Sequence, residues 1–410
     1  MGAHRRPGDR YGWLVVAAML WVQTVSSGLG FYNMSVYVAE LSGEMAQPLS
    51  ALSFAVTLFF VVGGVTGIYV ARLMERVSLR WIMVLGAVLA GLALAAVGLA
   101  EEVWHVYILF TLFGMGNTGV SLVVSTTLIT RWFPGSNRAI ALSVASTGLS
   151  VGGVTLTPLT AYLFNTIGVS ATMPWLGLAF TMLIIPVVMT VVRLPDVDID
   201  AGDNPGQQPA AGAVGLRERF FVLLSIGYIF CMGAQVGGIA HLYGRVESIA
   251  GFAVASMAVQ ALSVGSIVGR FAGGVIASRV SIRAYVLGAL ALQMLGLLLV
   301  AEASANVMAV VAAGVLGLSV GNLLMSQPLW LAEAFPGPEY PRVFALANAL
   351  SVIGVASGPF LLGVLADVDS YRLAYWVATG LCIVAGIAFV SAGQRRAQRT
   401  CVVVREMDEG

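Results

Sequence analysis

The sequence has no lysine. All 21 of its basic residues are arginine, and 20 acids bring the formal net charge to +1. Charge of either sign is scarce: 10% of the 410 residues are charged and 59% are hydrophobic. A soluble domain carries about 25% charged residues, so this chain lacks the polar surface to cover a water-exposed globule. No basic tract is long enough to follow a phosphate backbone, which argues against a nucleic-acid partner. Cysteine is nearly absent too. Cys231 and Cys382 fall inside apolar runs and Cys401 near the C-terminus, giving neither a disulfide framework nor a metal-ligand spacing. No nucleophile–base pair and no phosphate-binding loop appears. The sequence therefore predicts no catalytic residue, no metal site and no cofactor.

What the chain has in abundance is apolar runs of about twenty residues, the length that crosses a bilayer as a helix. They are continuously apolar rather than alternating, and only helices or closed barrels satisfy the backbone in hydrocarbon, so an all-α membrane protein is predicted. The runs fall at 11–38, 51–74, 81–100, 104–130, 139–164, 172–193, 219–244, 249–277, 284–302, 305–332, 343–366 and 371–393. The first follows His4, Arg5, Arg6 and Arg10 as a signal peptide would. It is too long for a signal-peptide core and is taken as a span.

Arginine sidedness tests this division. With twelve spans, every arginine except Arg245, Arg270 and Arg372 falls on the side that holds both termini. The opposite loops hold Glu40, Glu44, Glu101, Glu102, Glu247, Glu302, Asp367 and Asp369. The positive-inside rule then predicts a multi-pass inner-membrane protein with both termini cytoplasmic.

The chain also repeats itself about a polar stretch at 194–218, which reads as a flexible cytoplasmic linker. Arg76-Val77-Ser78-Leu79-Arg80 returns as Arg279-Val280-Ser281-Ile282-Arg283, and Phe133-Pro134-Gly135 returns as Phe335-Pro336-Gly337. Gly148 and Gly152 return as Gly354 and Gly358. The matches keep their order at a nearly constant offset. Two pseudo-symmetric six-helix bundles are predicted at 1–193 and 219–394, with a tail at 395–410. A parallel duplication of this kind places a substrate site between the halves near mid-membrane.

In span count, duplication and the basic loop Ala71–Arg80, the sequence resembles the major facilitator superfamily. Three segments resemble its monocarboxylate-porter branch, which includes the oxalate–formate exchanger and bacterial monocarboxylate transporters. They are Tyr11-Gly12-Trp13 opening the first span, Arg131-Trp132-Phe133-Pro134 before the fifth, and His241-Leu242 followed by Gly269-Arg270 and Gly273-Gly274. The resemblance implies a secondary transporter acting by alternating access on a small organic monoanion such as lactate or pyruvate, as proton symporter or as exchanger, and functional as a monomer in the lipid bilayer. The alternative of the same fold is an efflux antiporter for amphipathic drugs. The animal porters carry an aspartate four residues before this arginine and a lysine in the first span. Here Ser266 stands in the first place and no lysine exists, which leaves proton coupling open.

Arg270 is the leading site candidate. Burying an arginine within a span costs about 2.5–3.5 kcal/mol on the permissive insertion scale, so such residues face a cavity or a partner. No acid lies in the interior of any span, and an anionic ligand would supply the counter-charge. Guanidinium is a planar fork that matches a carboxylate with two parallel hydrogen bonds. Ser266 and Ser263 lie one and two turns away on the same face, with Gln260 at its edge. His241 is the only histidine inside a span and is the candidate for proton coupling as well as substrate contact. Asn117 and Asn322, at equivalent places in the duplication, are further substrate candidates. Glu75, Arg76, Arg131 and Arg279 are the candidates for gating contacts in the loops.

Overall fold

In a computed structural model the described residues are 10–74, 76–133, 137–193, 218–335 and 339–393. All their regular structure is helical. The linker expected at 194–218, apart from its last residue, the tail expected at 395–410, and Glu75 lie outside the described residues. The helices are α1 (Arg10–Ser27), α2 (Met34–Glu44), α3 (Leu49–Leu73), α4 (Leu79–Ala96), α5 (Val103–Gly119), α6 (Leu122–Trp132) and α7 (Arg138–Ile167). After them come α8 (Val169–Val191), α9 (Arg219–Ala240), α10 (Leu242–Ala277), α11 (Ile282–Glu302), α12 (Asn306–Ala334), α13 (Tyr340–Val368) and α14 (Tyr371–Ala392).

Two expected spans are interrupted. The first passes through a π-helical turn at Gly28–Tyr32 before α2. The fourth breaks at Ser121, whose extended ψ of 171° separates α5 from α6. Eleven stretches among the described residues are long and apolar enough to cross a membrane, and one of them, Arg219–Ala277, is 59 residues long. At 1.5 Å per residue it would measure about 88 Å, nearly three times the ~30 Å of hydrocarbon. It is divided at His241, where the backbone leaves helical geometry, and at Gly251, whose φ of +79° is open to glycine without strain. The unbroken part of α10 is therefore 252–277.

The helices pack as two groups. In the first, α1 lies on α7 and α8, α4 on α5 and α8, and α3 on α5; in the second, α9 lies on α13 and α14, α10 on α12, and α11 on α12 and α14. The groups meet where α3 packs on α13 and α7 on α10. Small residues set the closest approaches. A Cβ on Gly152 would fall on the carbonyl oxygen of Thr24 and one on Gly358 on that of Gly233. The α1–α7 and α9–α13 contacts are thus built by the glycines that the repeat matches.

The two ends of the bundle differ. Arg80 donates to the Val192 carbonyl at one end, and Arg283 donates to the Val390 carbonyl at the same end. At the other end Glu44 accepts from Ser170, and Arg372 pairs with Glu302 at 2.7 Å. The first is the arginine end and the second the acidic end.

Candidate functional site

Arg270 sits two turns before the end of α10, on the face that meets α7. The α10 residues expected to share this face do so, and they form a polar seam with the other group. Ser266 Oγ is 3.2 Å from Ser150 Oγ, Gln260 Nε2 donates to the Val154 carbonyl at 3.2 Å, and Ser263 lies against Gly153. Arg270 closes the seam toward the arginine end: its Nη1 donates to the Ser146 carbonyl at 2.8 Å. Its Nε is buried without a hydrogen-bond partner. The stem lies flat on Gly321 of α12, where a Cβ would fall on the arginine Cγ and 2.7 Å from Nε.

No carboxylate pairs with Arg270 among the described residues. A permanent charge is therefore held by one backbone carbonyl. The cleft at the guanidinium, lined by Ser143, Thr147, Ile267, Arg270 and Phe271, measures about 30 Å³. One water needs roughly 10–15 Å³ by this measure, so the cleft holds a water or two, and a carboxylate would enter only as the seam parts.

His241 is elsewhere. It is buried at the junction of α9 and α10, with Nε2 2.9 Å from the Pro359 carbonyl and 3.4 Å from Ser53 Oγ. A carbonyl only accepts, so Nε2 carries hydrogen, and the buried Nδ1 has no partner. From 252 to Arg270 alone is about 27 Å of helix, so His241 and Arg270 do not form one site. The asparagines face their own groups. Asn117 Oδ1 accepts from Ser26 of α1 at 2.7 Å. Asn322 Oδ1 accepts from Tyr285 of α11 at 3.0 Å, and its Nδ2 donates to the Leu318 carbonyl at 2.8 Å. Arg76, Arg131 and Arg279 make no ion pair among the described residues.

The acidic end joins the groups more firmly, through residues at or beside the ends of the expected spans. Asp367, at the end of α13, accepts from the Leu49 and Ser50 amides at 2.9 and 2.8 Å and so caps α3. Tyr243 reaches Glu40 across the divide. Among the described residues no hydrogen bond joins the groups between Arg270–Ser146 and the arginine end.

An all-helical chain with this many apolar helices in two packed groups is a multi-pass membrane protein. The Major Facilitator Superfamily profile matches residues 20–321 and 245–400, and the chain belongs to that family of membrane transporters. It is 23% identical over 142 residues to monocarboxylate transporter 7 of Homo sapiens, covering 35% of this chain and 27% of that protein. It is 24% identical over 372 residues to the MFS-type transporter pynF of Aspergillus niger, covering 88% of this chain and 82% of the relative. Among solved structures it resembles a bacterial homologue of the human lysosomal transporter Spinster, in an inward-facing and occupied conformation. The TM-score is 0.72 at 14% identity, covering 94% of this chain and 97% of that one.

Proposed function

We propose that the chain is a secondary carrier of twelve crossings in two six-helix bundles, moving a small organic monoanion by alternating access across the inner membrane, with both termini cytoplasmic. Taking Arg219–Ala277 as two crossings completes the count. Arg270 is the residue that pairs with the substrate carboxylate. The observation that carries this reading is the state of its guanidinium: inside the bundle, without an acidic partner among the described residues, held by a single carbonyl of the opposite group, with Nε unused. A carboxylate offers two acceptors and a negative charge where Ser146 offers one neutral acceptor, so it can take the guanidinium fork through two parallel hydrogen bonds and neutralise its charge. Substrate arrival at Arg270 would release the seam that holds α10 against α7, which is what alternating access requires. The likeness to monocarboxylate transporter 7 supports the same substrate class.

The test is uptake of labelled two- to four-carbon carboxylates into proteoliposomes, with and without a pH gradient. Saturable uptake is expected in wild type, and its loss in Arg270→Ala and Arg270→Lys, since lysine lacks the fork. Undiminished saturable uptake in Arg270→Ala would refute the assignment. Transport of amphipathic cations with no carboxylate transported would favour a drug antiporter.

A further inference from the structure

Three side chains at the acidic end share one hydrogen too few. Tyr243, fully buried, places its hydroxyl 2.9 Å from Glu40 Oε1 and 3.2 Å from Glu247 Oε1. A phenol has one hydrogen to donate. With both carboxylates ionised, one of the two contacts sets lone pair against lone pair and two negative charges meet at a single oxygen. One added proton resolves both defects. Protonated Glu247 donates to the Tyr243 oxygen, Tyr243 donates to ionised Glu40, and one charge remains.

The three residues do not belong to one group. Glu40 is on α2 of the first group, whereas Tyr243 and Glu247 are on the opening turns of α10, before Gly251, in the second. The hydrogen-bonded chain exists only while the groups touch at this end. We infer that Glu40, Tyr243 and Glu247 form a proton-operated latch, closed across the acidic end by one bound proton and released when that proton leaves.

The surroundings favour the proton. Glu44, on α2, adds negative charge beside Glu40. Tyr371 of α14 lies close to both Glu247 and Asp367. Asp367 of α13 is spent on the α3 amides, and His241 donates to the Pro359 carbonyl. α8 contributes neutral Ser170, bonded to Glu44. The nearest cations are engaged elsewhere. Arg245 turns to the carbonyls of Val300, Ala301 and Ala303 at the end of α11, and Arg372 pairs with Glu302. Among the described residues no ion pair reaches Glu40 or Glu247. Burial first, and then the charge of Glu40, push Glu247 up to about 7. Glu40 is raised as well, chiefly by burial.

Once the end opens, both glutamates face water with an ordinary value of about 4.3. The closed form then binds more protons than the open one between about pH 4.3 and 7. Its advantage is complete below that window, falls by up to tenfold per pH unit as pH rises through it, and is gone above it. The latch rests on the alternating-access reading but needs neither a carboxylate substrate nor Arg270.

The experiment is a spin-label distance across the acidic end of the full chain in lipid nanodiscs. Labels sit at Glu101→Cys in the loop before α5 and Asn306→Cys at the start of α12, in a background without native cysteines, at pH values from 4.5 to 8. A short distance is expected at low pH, giving way to a longer one between about pH 5 and 7. Glu247→Gln, whose amide donates to Tyr243 without titrating, should hold the short distance at every pH. Tyr243→Phe should shrink the short population at low pH. An unchanged pH response in Glu247→Gln, or a wild-type distance that ignores pH, overturns the latch. The Arg270→Ala chain should keep a pH-dependent distance change, its midpoint moved by loss of the Ser146 tie, while losing uptake. A failed carboxylate assay with an intact distance response therefore refutes only the substrate assignment.

Discussion

The Arg270 guanidinium of α10 donates to the main-chain carbonyl of Ser146 in α7 at 2.8 Å, so this charge of the second group is tied to the first group. A carboxylate that takes over this guanidinium competes with an internal ligand. Because Ser146 contributes only its backbone, Ser146→Ala leaves the tie intact and should transport normally. A transported carboxylate should raise the melting temperature of wild type in detergent, since a ligand at 100 times its Kd stabilises by about 2.7 kcal/mol. Arg270→Ala should show no such rise. A carboxylate-dependent rise that survives in Arg270→Ala would place the anion elsewhere.

Gly321 governs where that guanidinium sits. Its Cα faces the Arg270 stem so closely that any side chain must move the arginine or α12. Gly321→Ala is expected to cost about 1–3 kcal/mol as overpacking and to raise the KM for the anion by roughly tenfold, equivalent to about 1.4 kcal/mol. Gly314→Ala on the same helix is the control, since the nearest atoms to its Cβ are 3.9 Å away. Equal KM values in the two variants would remove Gly321 from the positioning of Arg270.

The features legible in the sequence are those that a single letter or a local pattern announces. Arginine sidedness and apolar run length mark the crossings, and Arg270 stands out as a charge within a run. The glycine pairs are legible because helices that touch backbone to backbone tolerate nothing larger. Ser146 is not legible as a partner, since every residue carries a carbonyl. The polar faces of Asn117 and Asn322 are visible, but not that each turns into its own group, because that depends on the neighbours Ser26 and Tyr285. Glu40, Tyr243 and Glu247 are hardest of all: α2 and α10 meet only after the whole chain has folded, and alone the two glutamates are ordinary loop residues and the tyrosine an ordinary span-end aromatic. The division of Arg219–Ala277 at Gly251 is likewise a matter of one φ angle, which composition does not report.

The matched glycine contacts predict matched penalties. A side chain at Gly152 meets Thr24 and Gly28, and one at Gly358 meets Gly233, in each case backbone that has no rotamer to yield. Gly152→Ala and Gly358→Ala should each lower stability by about 1–3 kcal/mol, read as a fall in melting temperature of the purified protein. Gly288→Ala meets nothing within 4 Å of its Cβ and should be neutral or slightly stabilising, since alanine is the better helix former. If Gly288→Ala is as damaging as the other two, close backbone approach is not the reason for the glycines.

Asp367 offers a way to weaken the acidic end without touching a titrating carboxylate of the latch. Its two oxygens accept separately from the Leu49 and Ser50 amides of α3, which belong to the other group. Asparagine keeps the size but has one acceptor, and its amide turns hydrogens toward the second N–H. Loss of an N-terminal cap costs about 0.5–2 kcal/mol, and here the cost falls only on the state in which α3 and α13 meet at this end. Asp367→Asn should therefore shift the spin-label distribution between Glu101→Cys and Asn306→Cys toward the longer distance at every pH, reducing the closed-to-open ratio by about two- to thirtyfold. The pH response itself should persist with its midpoint moved to lower pH, because Glu247 still titrates but closure is harder to hold. A distribution identical to wild type would mean that the α3 cap plays no part in closing the acidic end, and abolition of the pH response would make Asp367, rather than the Glu40–Glu247 pair, the group that reads the proton.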